Sequence, residues 1–204
     1  MYEGKEFLKY GEKEINYLKS RDKQLSEVID RLGFLERPFT QDLYVALVES
    51  IISQQISSKA AITVTKRVYE LLGEITPDNI ANTNHFHIQK CGMSLKKASY
   101  IKIAADAILS GVINLSEFEG MSDQQVIDKL TILPGVGVWT AEMLMIFSLQ
   151  RQDVLSYDDL VIRRAMSKIY GIKEIDRETF ETYRKRYSPY CSVASLYLWE
   201  VAEN

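Results

Sequence analysis

Apolar residues recur along this chain at the spacing of one helix face, and polar caps or glycines punctuate the recurrences. "TQDLYVALVESIISQQ" places Leu43, Leu47 and Ile51 on one stripe. "SSKAAITVTKRVYELLG" continues the pattern through Ala61, Val64, Val68 and Leu71 and stops at Gly73. Thr76 with Pro77 opens a short helix in "TPDNIAN", the proline at the first helical position. "SLKKASYIKIAADAILSG" predicts a helix from a Ser94 cap to Gly111, and Ser122 with Gln125 forms a capping box in "SDQQVIDKL". Further helices are expected from about Val138, from Asp158 or Asp159 to Gly171, from Asp176, and from a Ser188 cap with Pro189 at its start. Strand-like alternation is nowhere sustained. The pattern predicts an all-α protein of about ten helices, without repeats or a low-complexity linker.

One stretch departs from plain amphipathic helix. "LPGVGVWTAEML", residues 133–144, is a proline–glycine turn running straight into a helix. Glycine permits positive φ or a close backbone approach, and a helix N-terminus offers unpaired N–H groups to an anion. The composition narrows what that anion could serve. With 46% hydrophobic and 26% charged residues in 204, the chain is an ordinary globular protein with material for a real core. Its net charge of −3 excludes coating nucleic acid through overall basicity but leaves room for a local basic face. Two cysteines, Cys91 and Cys191, show no disulfide framework and suit a reducing cytosol. No apolar run approaches the roughly 18 residues of a membrane span, and the charged start "MYEGKEFLKYGEKE" does not read as a signal peptide.

"SDQQVIDKLTILPGVGVWTAEMLMIF" therefore reads as helix, tight hairpin, helix, and "DVLSYDDLVIRRAMSKIYG" follows with an aspartate pair opening the next helix. Together these features resemble the helix–hairpin–helix DNA glycosylases. "LVESIISQQISSKAA", "GMSLKKASYIKIAADAI", the hairpin, "YDDLVIRRA" and "SPYCSVASLYLWEV" stand in the order of the 3-methyladenine DNA glycosylases of the type II, alkylation-repair group, in a compact form without their β-rich N-terminal domain. The resemblance implies two helical lobes flanking a DNA-binding cleft. One lobe would take residues 38–138 with the hairpin, and the other residues 1–37 plus 139–204 with the catalytic aspartate.

By that resemblance Asp159, followed by the apolar "LVI", is the catalytic carboxylate, with Asp158 its neighbour or cap. The chemistry agrees independently. Breaking an N-glycosidic bond builds an oxocarbenium-like cation, which a fixed carboxylate stabilises while orienting or deprotonating water. Aspartate is also a preferred helix cap, so the motif alone admits a purely structural reading. Trp139 stands where bifunctional relatives carry a nucleophilic lysine, which implies a monofunctional enzyme without lyase activity. Trp139, Met143 and Trp199 would line the base pocket, Met143 replacing a tyrosine of a better-known member. An indole there could stack on a flipped, cationic base.

Gln54 or Gln55 of "SQQIS" would fill the gap left by the extruded nucleotide, and Gly135, Val136, Gly137, Thr140 and Lys97 would meet DNA phosphates. "RR" at 163–164 and "RKR" at 184–186 add positive charge or a solvated helix face. His85, His87 and Cys91 lack a fourth ligand and a standard zinc spacing, so they read as structural. The family hairpin often holds a monovalent cation on backbone carbonyls, which would be those of Thr131, Leu133 and Val136. No other cofactor is expected, and the four cysteines of an iron–sulfur cluster are missing. The expectation is a cytoplasmic monomer, nucleoid-associated if the source is prokaryotic, that acts on damaged duplex DNA and touches no membrane, excising 3-methyladenine and 7-methylguanine. The alternatives are a glycosylase for oxidised or deaminated bases, and a non-catalytic helix–hairpin–helix DNA-binding protein.

Overall fold

Side-chain caps decide where the apolar stripes become helices. Ser57, Thr76, Ser94 and Asp176 each accept the N–H three residues on, and Ser122 and Gln125 close the expected capping box. In the computed structural model, which describes residues 6–203, the elements run in this order. β1 (Glu6–Phe7), α1 (Glu12–Arg21), α2 (Lys23–Leu32) and β2 (Pro38–Phe39) come first. α3 (Leu43–Ser53), α4 (Ser58–Leu72), α5 (Pro77–Asn82), α6 (His85–Lys90) and α7 (Leu95–Leu109) follow. A 3-10 helix (Leu115–Gly120) leads into α8 (Asp123–Leu130) and α9 (Val138–Phe147). The chain ends with α10 (Leu160–Tyr170), α11 (Arg177–Tyr187) and α12 (Cys191–Glu203). Among the described residues the protein is all-α apart from β1 and β2, which pair antiparallel with Glu6 opposite Phe39 and Phe7 opposite Pro38. Strands of two residues leave no alternation for a pattern to show. No helix among the described residues is long and apolar enough to cross a membrane.

One expected start is corrected. Ser188 does not open the last helix; its N–H bonds the Arg184 carbonyl at 2.9 Å, ending α11, and its hydroxyl donates to Asp153 at 2.6 Å. α12 begins at Cys191, with Pro189 outside it.

The chain divides into two compact units, Thr40–Leu144 and Met1–Phe39 with Met145–Asn204. The expected division at 138/139 thus falls six residues later, inside α9, a helix continuous with the hairpin that starts it. Trp139, Thr140 and Met143 accordingly belong to the hairpin unit rather than to the other lobe.

In the hairpin unit α7 is central, packing on α3, α5 and α6 through its small buried positions Ala98, Ala104 and Ala105 and through Ile101. Leu47, Val48, Ile51 and Ile52 of α3 and Val64 and Val68 of α4 complete that core. In the other unit α12 packs on α2, α10 and α11, around Leu25, Ile29, Ile162, Met166, Phe180, Tyr187, Ala194 and Tyr197. Burying each such large apolar side chain contributes about 1.5–3 kcal/mol before conformational entropy is subtracted.

Candidate active site

The hairpin is built from α8 and α9. Thr131 ends α8, its hydroxyl donating to Ile127 O at 2.8 Å, and Leu133 and Val136 turn inward, 3% and 5% exposed. Val136 N–H bonds Leu133 O at 3.1 Å, tightening the turn. The two glycines do different work. Gly135 has φ +86, and a Cβ there would meet the Tyr100 ring at 2.3 Å. Gly137 needs no such conformation and has open space, so a side chain at Gly137 would obstruct only a molecule arriving from outside. It is exposed and immediately precedes α9, whose first-turn N–H groups have no acceptor within the helix. Trp139 is 42% exposed, and Met143, one turn on, is half-buried on the same helix face.

Three of the residues expected at the DNA are buried or bonded within the protein. Thr140 is only 5% exposed, because its place on α9 turns it into the packed interior, so it offers little to a phosphate. Lys97 is half-buried, with its ammonium donating to Ile52 O at 2.7 Å and also to Gln54 O; desolvation lowers its pKa. It satisfies the carbonyls that end α3 instead of waiting for a phosphate. Gln54 turns its carboxamide to Gly135 O at 2.8 Å. Of the two glutamines it is Gln55, exposed and at φ +57, whose side chain is not occupied in this way.

In the other unit Asp159 caps α10. Its Oδ1 accepts the N–H groups of Val161 at 2.8 Å and Ile162 at 3.1 Å, and its Oδ2 accepts the indole N–H of Trp199 at 3.1 Å. The carboxylate is 5% exposed, whereas Asp158 is exposed. The backbone and the indole together fix both oxygens. Trp199, on α12, is half-buried, and its ring lies 5.5 Å from that of Phe147. The segment leading to Asp159 is held by Tyr157, whose ring carries the guanidinium groups of Arg163 at 4.8 Å and Arg177 at 4.2 Å and the edge of Phe180. Sequence reasoning passed over Tyr157, Arg177 and Tyr100, since nothing local marks a ring as the partner of a distant loop. The expected basic run at 184–186 is largely engaged. Arg184 lies 3.8 Å from Glu181, and Arg186 pairs with Asp22 at 2.8 Å. The His85 ring lies 4.2 Å from the Phe86 ring at a tilt of 37°, and the Cys91 thiol points to the Arg67 and His87 carbonyls. Among the described residues no cluster of three or more His, Cys, Asp or Glu could hold a metal ion.

A fixed, buried carboxylate at a helix N-terminus can stabilise a cation forming beside it, and an exposed glycine hairpin can receive a phosphate. Known proteins agree with that chemistry. The family of HhH-GPD superfamily base excision DNA repair proteins matches residues 48–189. A DNA-3-methyladenine glycosylase 1 of Schizosaccharomyces pombe is 33% identical over 165 residues, covering 78% of this chain and 72% of the relative. The crystal structure of a DNA-3-methyladenine glycosidase from Bacillus halodurans superposes with a TM-score of 0.85 at 34% identity, covering 97% of this chain and 92% of that one. A 3-methyladenine DNA glycosylase of S. pombe, in complex with abasic DNA, gives 0.83 at 30% identity, covering 94% and 97%. With its hairpin, its capped aspartate and a match across most of its length, the chain belongs to the HhH-GPD superfamily of base excision DNA repair proteins.

Proposed function

We propose that this protein is a monofunctional DNA glycosylase that extrudes alkylated purines from duplex DNA and hydrolyses their N-glycosidic bond, leaving an abasic site. The observation that carries the reading is the Asp159 carboxylate, buried, capped by two backbone N–H groups and oriented by the Trp199 indole. The names of its relatives support the substrate class.

As the bond to the base stretches, positive charge gathers on C1′ and the ring oxygen of the sugar, and Asp159 stabilises it. The same carboxylate orients the attacking water or accepts its proton. A methylated purine such as 3-methyladenine or 7-methylguanine is already cationic, so it departs without a general acid. Trp139 stacks on the extruded base and Met143 shapes its pocket, with a cation–π contribution of about 0.5–2 kcal/mol favouring a charged base. Trp199, expected beside it in the pocket, we assign to Asp159 instead: its N–H holds the carboxylate. The backbone of Gly135 and Gly137 grips a phosphate, the expected Val136 amide being taken up by Leu133 O, and Gln55 fills the vacated stack.

An indole cannot form a Schiff base, so the strand should stay intact after the base leaves. Two cysteines cannot supply the four thiolates of an iron–sulfur cluster, and none is invoked. The carbonyls of Thr131, Leu133 and Val136, neutral oxygens on one turn, would be the ones to hold a monovalent cation, which would add positive charge near the phosphate. Such an enzyme works where the genome is, which in a prokaryote would be the nucleoid within the cytoplasm.

The test is to incubate the protein with methylated duplex DNA, identify the released bases and repeat the reaction with borohydride. The expected result is free methylpurines, strand breakage only after alkali, and no trapped covalent complex. A trapped complex would overturn the monofunctional reading, and the absence of any released base would overturn the enzymatic one.

A further inference from the structure

The turn that follows α3 is held in a conformation it would not choose. Gln55 has φ +57, a strained left-handed geometry that a non-glycine residue keeps only where its surroundings impose it. Two groups impose it. The Lys97 ammonium donates to Ile52 O at 2.7 Å and to Gln54 O, on either side of the last residue of α3. A cation at a helix C-terminus also complements the dipole. The Gln54 carboxamide then reaches to Gly135 O at 2.8 Å, on the hairpin. Gly135 is itself seated against the Tyr100 ring, one turn beyond Lys97 on α7. The first turns of α7 thus hold the Gln55 turn with Lys97 and the hairpin with Tyr100, and Gln54 ties the two together.

We propose that Gln54 and Lys97 are positioning residues that lock the Gln55 turn to the hairpin, so that filling the DNA stack and gripping the phosphate form one coupled event. The inference rests on the reading of the protein as a base-extruding glycosylase. It predicts that a disturbance at the phosphate-gripping hairpin is felt at the Gln55 turn, and the reverse, through the Gln54 and Lys97 side chains bonded within the protein.

The experiment is a double-mutant cycle on binding to a duplex that carries a tetrahydrofuran abasic analogue, which needs no chemistry. Gln55→Ala and Gly137→Ala are combined, first with Gln54 intact and then in a Gln54→Glu background, where a carboxylate of similar size faces the Gly135 carbonyl and cannot donate. With Gln54 intact the two changes should couple by about three- to tenfold in Kd. With Gln54→Glu they should add. Gln54→Ala serves in its place where the glutamate variant does not fold. Lys97→Met should weaken the coupling in the same way, and Lys97→Arg should restore it. Equal coupling with and without the Gln54 amide would overturn the proposal. Failure of the wild type to release any base would instead count against the glycosylase reading, since the cycle reads binding alone.

Discussion

Two buried aspartates of the same unit cap helices in nearly the same way and end with different partners. Asp22 caps α2, its Oδ1 accepting Leu25 N–H at 2.9 Å, and it is 3% exposed. Asp159 caps α10 and is 5% exposed. The second oxygen separates them. In Asp22, Oδ2 meets the Arg186 guanidinium at 2.8 Å and the Tyr170 hydroxyl at 3.0 Å, and Tyr170 is bonded in turn to Tyr187. In Asp159, Oδ2 is held by the Trp199 indole, a donor that orients a carboxylate without bringing a formal charge. A guanidinium neutralises the cap it holds, as a structural joint requires. An indole N–H orients a carboxylate without itself neutralising it. The same local motif therefore serves stability in one place and is proposed to serve chemistry in the other.

The comparison breaks most visibly if charge is removed from each aspartate. Asp159→Asn keeps a cap acceptor but loses the charge, so single-turnover base release should fall by about 10²–10³-fold, with DNA binding intact or tighter. Asp22→Asn should leave release by the folded enzyme unchanged. Comparable release defects in both variants would erase the distinction.

Next in size is the indole. Trp199→Phe keeps the ring and its packing against Phe147 but removes the donor to Asp159. A hydrogen bond to a charged group contributes about 1.5–3 kcal/mol, so release should slow by about ten- to a hundredfold while the melting temperature changes little. An unchanged rate would return Trp199 to the role of a plain pocket aromatic.

Asp22→Asn should act on stability instead. Loss of the charge facing Arg186 and Tyr170 should lower unfolding free energy by about 1.5–3 kcal/mol, measured by denaturant titration. Alkali should find the same joint. Burial, above all, pushes the Tyr170 and Tyr187 hydroxyls well above the usual value of 10.0. Above that pH the unfolded chain would lose protons that the folded chain keeps, so stability should fall as pH rises through it. Melting curves across that range should show the drop, and Tyr170→Phe should reduce it.

The helices and their caps were legible because they are local. Ser94, Ser122, Asp159 and Asp176 lie within three residues of the N–H groups they bind, and the LPGVG turn announces its glycines directly. What could not be read was the choice of distant partners. Lys97 looks like a phosphate ligand until the end of α3 is seen to need a donor, and Thr140 looks available until α9 turns it inward. Trp199 reads as a pocket ring until its N–H is found on Asp159. Gln54 and Gln55 are indistinguishable as neighbours; the tertiary structure separates them by giving one the Gly135 carbonyl and the other a left-handed backbone.

The central claim is that Asp159 stabilises a sugar cation while the leaving base is already activated by its own charge. Single-turnover release of 7-methylguanine, 3-methyladenine and hypoxanthine from otherwise matched duplexes, each corrected for spontaneous loss, tests it most directly. Both methylpurines should leave faster than neutral hypoxanthine, by orders of magnitude where stacking and leaving-group charge act together. Fastest release of hypoxanthine, or of an oxidised purine added to the series, would contradict it and direct attention to Met143.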